Sequence, residues 1–291
     1  MRIIGIDAGG TKTDFLLCDE NENQINRVTL GCGNPNDIGI DACLDLLSEG
    51  LDALCKDESP DAVFAGISGG GYGENAARIN SFLRERYPSA KVENGPDVIN
   101  LIYCSRSTAN VAALICGTGT ALFLRNNGEI LRFGGWGNLF DCGGSAYDIG
   151  KDAIRFLLYR EENPLDGFNY PLCNLLREAL GTSAHDALNS FYAKGKGYIA
   201  SFAPVVFEAM EQGDSTAETI INSNVDILVA RLNRLFSAYP DIDEVVCGGG
   251  LFNSKVFFDR LAERTLLPLY RPDIPPVVGA CRKGIEICNT L

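Results

Sequence analysis

The residues best suited to chemistry lie near the N-terminus, in the sequence IGIDAGGTKTD at Ile4–Asp14. Gly9 and Gly10 let a backbone approach a phosphate closely and adopt positive φ angles. Asp7 stands at the end of a β-patterned run, where it could hold Mg²⁺ directly or through water. Hydroxyl and ammonium donors follow at Thr11, Lys12 and Thr13. No Walker A spacing occurs. An ordinary hairpin turn is the alternative, but an acid followed by GGTKT favours phosphate binding.

Two further glycine-rich segments offer similar chemistry. The sequence CGTGTA, at Cys116–Ala121, places small and hydroxyl residues between two β-patterned runs, at Gly117, Thr118, Gly119 and Thr120. In VVCGGGLFNS, at Val245–Ser254, three glycines leave room for a flat ring, and the following helix N-terminus can stabilise negative charge. The glycines are Gly248, Gly249 and Gly250. Alone, this last segment fits the loop of any α/β fold, but two facing hairpins could pinch a triphosphate.

Other reactive residues narrow the choice of chemistry. The single histidine, His185, lies in a polar helix-like stretch and is expected at the surface, so a general base should be a carboxylate. Trp136, the only tryptophan, lies among glycines and favours a ligand cleft over a core position. The 11 cysteines include no CxxC pair, which favours reduced core thiols over a zinc site or disulfides. A cysteine that binds an Fe–S cluster shared between two chains is the remaining alternative.

The elements that must position these residues follow two similar series, each opening with a strand meander around a glycine-containing turn. Period-2 runs predict strands and 3.6-residue periods predict helices. The predicted strands are Arg2–Asp7, Thr13–Asp19, Gln24–Leu30, Asp61–Ile67, Ala90–Glu93, Asn110–Cys116, Thr120–Arg125, Glu129–Phe133, Glu244–Cys247 and Leu267–Tyr270. The predicted helices are Asp37–Lys56, Glu74–Tyr87, Asp97–Cys104, a mostly helical stretch from Ser145 to Tyr239, Lys255–Arg264 and Val278–Cys288. The two series indicate a duplicated α/β domain.

Length and charge exclude several classes of protein. With 291 residues, two domains are expected. The net charge of −13 would repel a phosphate backbone, so a nucleic-acid partner is not expected. No apolar run is long enough to cross a membrane. The first residues read as a strand rather than a signal peptide, so a cytoplasmic location is expected.

The three glycine-rich segments, in this order and at these separations, resemble the nucleotide-contacting segments of the acetate and sugar kinase, heat-shock chaperone and actin superfamily. Within it the chain resembles the BadF/BadG/BcrA/BcrD ATPase family, and especially its N-acetylglucosamine kinase branch. The resemblance rests on GIDAGGTKTD, GNPN, GISGGG, the segment around Asp97, CGTGT, GGWG followed by GGSAYDIG, CGGGLFNS and the closing PPVVGA.

This resemblance implies an ATP-dependent sugar kinase that uses Mg²⁺, with Asp7 at the metal. ATP is expected at Asp7, Gly9, Gly10, Thr11, Lys12, Thr13, Gly117, Thr118, Gly119, Thr120, Gly248, Gly249, Gly250 and Asn253. Asp97 matches the catalytic base, although an N-cap acid would also fit its position before a helix. The sugar is expected at Asn34, Ser68, Gly69, Asp97, Trp136, Gly137 and Asp141.

One departure from the family concerns the segment after Trp136. The family commonly reads GDEGS where this chain has Asp141-Cys142-Gly143-Gly144-Ser145. The family's aspartate, which contacts the sugar, therefore aligns with Cys142, and its glutamate with Gly143. Asp141 could replace that aspartate from one position away, or the substrate could be another sugar, such as glucosamine or N-acetylmuramic acid.

The implied fold is two ribonuclease-H-like α/β domains around a central cleft. The expected domains are residues 1–107 on the sugar side and 108–291 on the ATP side. The last helix, about 277–291, can return to the N-terminal domain, and the resemblance leaves a homodimer open. Two other functions stay open: an ATPase activator of a radical dehydratase, for which DCGGS is a poor match to the cluster motif, and a non-catalytic sugar sensor.

Overall fold

The N-terminal glycine-rich turn joins two buried antiparallel strands, β1 (Ile3–Ala8) and β2 (Thr13–Cys18), as the sequence predicts. The structure is a computed structural model that describes residues 1–55, 59–107, 109–141, 143–163 and 170–289. Its first unit comprises Met1–Thr108 and Pro272–Leu291.

The first unit is built on a mixed sheet. Strands β3 (Gln24–Leu30), β4 (Ala62–Ile67) and β5 (Lys91–Gly95) complete the order β3-β2-β1-β4-β5 among the described residues. Strand β1 pairs antiparallel with β2 and parallel with β4. The carboxyl ends of β1 and β4 therefore meet at one edge of the sheet.

The helices of this unit depart from the sequence-based prediction in one place. They are α1 (Pro35–Ile38), α2 (Ile40–Leu54), α3 (Gly73–Arg86) and α4 (Val98–Ile102). The single helix predicted over Asp37–Lys56 is wrong, because Gly39 adopts φ 84° and separates α1 from α2. Lys56, the predicted end of that helix, lies outside the described residues.

Strand alternation assigns the two faces of this sheet. Ile4, Ile6 and Phe15 are buried in the core beneath α2 and α3, whereas Ile3 and Leu16 belong to a separate cluster on the opposite face. Because successive side chains of a strand point to opposite faces, Asp7 shares the face of Ile3.

The second unit, Ala109–Arg271, repeats this plan. Its strands are β6 (Val111–Cys116), β7 (Thr120–Asn126), β8 (Glu129–Arg132), β9 (Glu244–Gly248) and β10 (Leu269–Tyr270). In the described ranges they are ordered β8-β7-β6-β9-β10. Strand β6 is antiparallel to β7 and parallel to β9, matching β1 with β2 and β4. The predicted duplication of an α/β domain is confirmed.

The helices of the second unit carry most of its core. They are α5 (Ala146–Glu162), α6 (Pro171–Leu180), α7 (Leu188–Ala200), α8 (Ala203–Glu211), α9 (Ser215–Ala238) and α10 (Lys255–Ala262). Buried residues of α5 and α9, such as Leu157 and Leu228, join Leu114 and Leu122 of the sheet in one cluster. Long α9 is thus a fixed support for the loops beside it.

The last helix, α11 (Pro276–Asn289), belongs to the first unit. Its residues Val277 and Cys281 pack with Ile3 and Leu16. The approach is close, because a Cβ atom on Gly5 would lie 2.7 Å from the backbone nitrogen of Cys281. Within the described ranges, no helix has the length and hydrophobicity that crossing a membrane requires.

Candidate active site

Two aspartates face each other across the N-terminal hairpin. Asp7 and Asp14 are direct partners on β1 and β2, so their side chains share one face. Asp14 is almost fully buried and accepts hydrogen bonds from Lys12 Nζ at 2.7 Å and Thr29 Oγ1 at 2.5 Å, with Arg27 at 3.4 Å. Burial alone would raise the pKa of Asp14, but these donors and charges hold it below its usual value.

Asp7 has a different environment from its partner. Burial raises its pKa to about 7, a hydrogen bond from Asn100 opposes that rise, and the charges of Asp97 and Asp14 add to it. The Asn100 Nδ2 atom lies 2.7 Å from Asp7 Oδ1. Burial therefore disfavours the ionised form of Asp7 unless a positive charge lies beside it.

Asp97 lies just before α4, in the N-cap position. Among the residues that the structure describes, its side chain does not accept from the second or third N–H of α4, the hydrogen bond that would make it a capping residue. Burial raises the pKa of Asp97 to about 6, against the effect of hydrogen bonds from the Ser68 side chain and the Val98 N–H. Ser68 follows β4, and its own N–H donates to Ala8 O at 2.8 Å.

A loop of polar residues lies beside these aspartates. Asn34 is buried, its Oδ1 accepts from Asn36 N at 3.0 Å, and its Nδ2 donates to Asp37 Oδ2 at 2.8 Å. Gly69, with φ 73°, leaves no room for a side chain, because a Cβ atom would lie 2.3 Å from Asn34 Oδ1. The Gly33 N–H donates to Gly9 O at 3.1 Å, which joins this loop to the glycine-rich turn.

The glycine-rich turn corrects one expectation. Neither Gly9 nor Gly10 adopts the positive φ that the sequence analysis allowed for. The turn is closed by a hydrogen bond from Gly9 N to Lys12 O at 2.9 Å, and a Cβ atom on Gly10 would lie 3.2 Å from Asp37 Oδ2. These glycines therefore leave space above the turn rather than supplying an unusual backbone conformation.

The second and third glycine-rich segments meet in the second unit. A Cβ atom on Gly117 would lie 3.8 Å from Gly250 N. The Ala146 N–H at the start of α5 donates to Gly117 O at 2.9 Å, so this hydrogen bond attaches the turn to α5. Gly249 adopts φ 100° and leaves no room for a side chain, since a Cβ atom would lie 2.4 Å from Cys116 O.

The remaining predicted residues of these segments lie beside them. Gly248 ends β9, and Asn253 ends the short 3₁₀ helix Gly250–Asn253 that follows. Asn253 Oδ1 accepts a hydrogen bond from Arg271 Nη2 at 2.9 Å. Thr120 begins β7, and its hydroxyl lies 3.5 Å from Arg231 Nη1.

The loop after β8 carries Trp136 and Asp141. Trp136 is 55% exposed, so it is not a core residue, and the Arg132 guanidinium stacks 4.1 Å from its ring centroid. Asp141 accepts hydrogen bonds from the N–H groups of Gly135 at 3.2 Å and Gly137 at 3.0 Å. Its carboxylate also lies 4.0 Å from Arg231 on α9. Asp141 thus holds the loop that presents Trp136.

The segment where the chain departs from the family rests on α9. Cys142 lies outside the described residues. Gly143 adopts φ 121°, and a Cβ atom there would lie 2.8 Å from Ile227 Cδ1. The next N–H, that of Gly144, donates to Asn224 Oδ1 at 2.9 Å. At the position of the family's glutamate, this backbone therefore favours glycine.

The structure brings the predicted residues together within each unit. The first unit gathers those at the carboxyl ends of β1 and β4: Asp7, Gly9, Gly10, Thr11, Lys12, Thr13, Asn34, Ser68, Gly69 and Asp97. The second unit gathers Gly117–Thr120, Gly248–Gly250 and Asn253, with the Trp136 loop next to β7. Asp14 and Asn100 were missed by sequence reasoning, although Asn100 lies three residues after Asp97 and three-residue spacing puts two side chains on one helix face.

The side chains that most often bind metal ions are those of histidine, cysteine, aspartate and glutamate. Among the described residues, no group of three or more histidine, cysteine, aspartate or glutamate side chains could hold a metal ion. The ten cysteines in the described ranges are free, as expected for reduced thiols. His185 is exposed, as predicted, and its Nδ1 lies 3.0 Å from Glu161 Oε2.

Two known proteins are similar in sequence to this chain over most of its length. An N-acetyl-D-glucosamine kinase from Dictyostelium discoideum is 25% identical over 288 residues, covering 90% of this chain and 89% of that protein. An N-acetylmuramic acid/N-acetylglucosamine kinase from Clostridium acetobutylicum is 28% identical over 232 residues, covering 75% of this chain and 74% of that protein.

Solved structures share the fold over the whole chain. A candidate N-acetylglucosamine kinase from Chromobacterium violaceum has a TM-score of 0.79 at 19% identity, covering 99% of both chains. A ROK family glucokinase from Streptomyces griseus, solved with glucose and AMPPNP, has a TM-score of 0.64 at 15% identity, covering 98% of this chain and 100% of that one. A sequence model of one family matches residues 4–281, nearly the full length. The chain belongs to the BadF/BadG/BcrA/BcrD ATPase family.

Proposed function

We propose that this protein is an ATP-dependent kinase of an amino sugar, with N-acetylglucosamine or a close relative as its substrate. Family membership and two relatives named as N-acetylglucosamine kinases support this class of reaction. The observation that carries the proposal is the setting of Asp97, a half-buried carboxylate that accepts a hydrogen bond from Ser68 at the carboxyl end of the first sheet.

Asp97 is the general base of this proposal. Phosphoryl transfer to a hydroxyl needs positioning, charge neutralisation and an acceptor for the hydroxyl proton. A carboxylate with a pKa of about 6 is ionised at neutral pH and still basic enough to take that proton in the transition state. The Ser68 hydroxyl orients the carboxylate. Gly69, which follows Ser68, and Asn34, which packs against Gly69, are proposed to receive the sugar.

Asp7 is the proposed magnesium carboxylate. Burial opposes ionisation of Asp7 and raises its pKa to about 7, and a divalent cation beside it would favour the ionised form. Mg²⁺ sites in such enzymes use one or two protein carboxylates and complete their shell with water and substrate phosphates. The described residues fit this pattern with Asp7 as the single protein carboxylate, because its neighbour Asp14 already accepts a hydrogen bond from Lys12 Nζ. When bound, the metal would neutralise charge on the transferring phosphoryl group.

Nucleotide contacts are proposed for each unit separately. In the first, the open turn at Gly9 and Gly10 leaves backbone accessible, with Thr11 and Lys12 as donors. Thr13 is fully buried and donates its hydroxyl to Gly31 O at 3.0 Å, so its proposed part is to hold the turn. In the second unit, the turn Gly117–Thr120 is proposed for phosphate and the loop Gly248–Gly250, with Asn253, for adenosine. The adjacency of Gly117 and Gly250 supports assigning both to one nucleotide site.

The sugar side is proposed to include the Trp136 loop. Trp136 and Gly137 would line the site, and the exposed indole supports that role. Asp141 has two backbone donors, but each carboxylate oxygen can accept a second hydrogen bond, so a sugar contact and a loop-holding role are compatible. A cytoplasmic location and a homodimer stay predictions.

A phosphorylation screen tests the proposed function. Purified protein would be incubated with ATP, Mg²⁺ and a panel containing N-acetylglucosamine, glucosamine, N-acetylmuramic acid and glucose, and each phosphosugar measured by mass spectrometry. We expect an amino sugar to be phosphorylated fastest. The Asp97→Asn variant should lose this activity, whereas Glu93→Gln, which changes an exposed carboxylate of the same unit, should keep it. ATP hydrolysis that ignores every sugar would favour an ATPase activator instead.

A further inference from the structure

The side chain of Asn100 is an unusual feature of the first unit. It is fully buried on α4, and its Nδ2 atom faces three acceptors: Asp7 Oδ1 at 2.7 Å, Gly66 O at 3.2 Å and Ile6 O at 3.3 Å. The two carbonyls belong to the neighbouring parallel strands β1 and β4. The amide therefore bridges both strands at the point where β1 presents Asp7.

Two glycines pack closely against Asn100, one against its side-chain amide and one against its backbone. A Cβ atom on Gly66 would lie 2.2 Å from Asn100 Oδ1, so a side chain at position 66 would collide with the amide. A Cβ atom on Gly279 of α11 would lie 1.9 Å from the backbone oxygen of Asn100. The two glycines therefore allow a close packing around Asn100 that leaves its side chain and backbone little room to shift.

The orientation of the amide follows from its neighbours. With three oxygen acceptors around one end of the side chain, the NH₂ group must face them, because the carbonyl oxygen would repel all three. Its own Oδ1 atom is buried with no hydrogen-bond partner among the residues that the structure describes. An unpaired buried acceptor is destabilising, and an apolar side chain would avoid it. The contacts of the Nδ2 atom, of which the one to Asp7 is the shortest, are therefore what an asparagine supplies here and an apolar residue would not.

We propose that Asn100 is a positioning residue that fixes the Asp7 carboxylate for a divalent cation bound with the nucleotide. The inference rests on the proposed function, because it takes Asp7 as the magnesium carboxylate. Asn100 supplies a neutral donor to one oxygen of Asp7 and leaves the other oxygen for the metal. Since Asp97 lies one helical turn earlier, the same short helix fixes the candidate base and the candidate metal carboxylate together.

Two variants separate this role from a structural one. Asn100→Ser keeps a single, shorter donor, and Gly66→Ala keeps the asparagine but pushes its amide away from Asp7. Leu101→Ala is the matched control, because it opens a cavity on the same helix without removing a hydrogen-bond donor. Binding of Mn²⁺ in the presence of ADP, followed by electron paramagnetic resonance, measures the cation site without turnover.

We expect both variants to weaken Mn²⁺ binding by about 10- to 100-fold, the usual effect of losing a group that orients a metal ligand. The kcat should fall with it, whereas the sugar KM should stay close to that of the wild type. Leu101→Ala should lower Tm and leave Mn²⁺ binding intact. Folded variants with wild-type Mn²⁺ affinity would overturn the proposal for Asn100.

The failure of the metal assignment would look different. If the wild type binds Mn²⁺ no better than an Asp7→Asn variant, Asp7 is not a cation ligand, and the positioning role of Asn100 falls with it. Sugar phosphorylation is measured separately in the screen, so that result would not be confused with failure of the proposed kinase activity.

Discussion

Asp97 combines two properties that a general base needs. Its surroundings raise the pKa to about 6, and a hydrogen bond from Ser68 fixes its direction. A fully solvated carboxylate would be a weaker base, and the single histidine of the chain, His185, is exposed and paired with Glu161. The carboxylate is therefore suited to work close to neutral pH.

The pH dependence of activity follows from this pKa. Protonated Asp97 cannot accept the hydroxyl proton, so kcat/KM should fall as the pH drops below about 6. Saturating Mg²⁺ in the assay would keep Asp7 ionised. The residual activity of Asp97→Asn should lack this acidic limb, and the Glu93→Gln control should retain it. A wild-type profile that is flat between about pH 5 and about pH 7 would remove Asp97 from the proton transfer.

The same pKa predicts an effect on stability. Because the folded pKa of about 6 lies above the ordinary value of 3.8, protonated Asp97 favours folding at low pH, and this contribution is lost as the pH rises through about 6. Asp97→Asn, which stays uncharged, should therefore have a higher Tm than the wild type at about pH 8 and little advantage at about pH 4. Calorimetry at both pH values measures this. A Tm difference independent of pH would contradict the burial argument.

Gly10 tests the phosphate assignment at the scale of one residue. Its φ is not positive, and the atom nearest to an added Cβ is Asp37 Oδ2, 3.2 Å away on an exposed side chain. Gly10→Val should therefore fold normally but lose ATP affinity, because its side chain fills the space above the turn. Gly31→Val, where a Cβ atom would meet nothing within 4 Å among the described residues, is the control. Calorimetric titration giving wild-type ATP affinity for Gly10→Val would refute the assignment.

At the scale of elements, the loop between β8 and α5 has its own support. Asp141 accepts two of its N–H groups, Arg231 on α9 donates to Phe133 O at 3.2 Å, and Asn224 on α9 accepts from Gly144. The loop is thus anchored to α9 at both ends. This arrangement makes Trp136 a reporter of the loop, since it is the only tryptophan in the chain.

Removing Asp141 should release that loop. Asp141→Ala leaves two backbone donors without their acceptor, a loss of about 1–3 kcal/mol for each that stays buried. We expect a lower Tm, a red-shifted Trp136 emission and a raised sugar KM, with ATP affinity unchanged. Asp141→Asn keeps one acceptor oxygen, so its Tm, Trp136 emission and sugar KM should lie between those of the wild type and of Asp141→Ala. A raised KM with unchanged Tm and emission would instead favour a direct sugar contact without the loop-holding role.

The strands and helices were predicted more reliably than the breaks within them and the long-range contacts of their side chains. The alternating patterns around two short turns predicted both hairpins. The structure confirms them, since Ala8 pairs with Thr13 and Cys116 with Thr120. The break at Gly39 was missed because the predicted helix was begun at Asp37, although the apolar residues that carry its period, from Ile40 to Leu54, all follow Gly39. The contact between Asn100 and Asp7 spans 93 residues of sequence, and no local pattern encodes such a pairing.

At the scale of the whole molecule, duplication explains where the candidate residues lie. Each unit has a mixed sheet with an antiparallel hairpin next to a parallel strand, and each uses the turn of its hairpin as a candidate phosphate contact. The sequence predicted this repeat from strand order. The roles of Asp97 and of the sugar residues came only from family resemblance, because their chemistry depends on neighbours that the fold brings together.

The central claim is that ATP is spent on a sugar hydroxyl with Asp97 as the base. The most direct measurement is the ratio of ADP to phosphosugar formed by the wild type with ATP, Mg²⁺ and N-acetylglucosamine, compared with Asp97→Asn. We predict one phosphosugar for each ADP, little ADP without sugar, and a kcat about 100-fold or more lower in Asp97→Asn, with sugar affinity much less affected. ADP formed at the same rate with and without sugar, or a near-normal kcat in Asp97→Asn, would contradict the account.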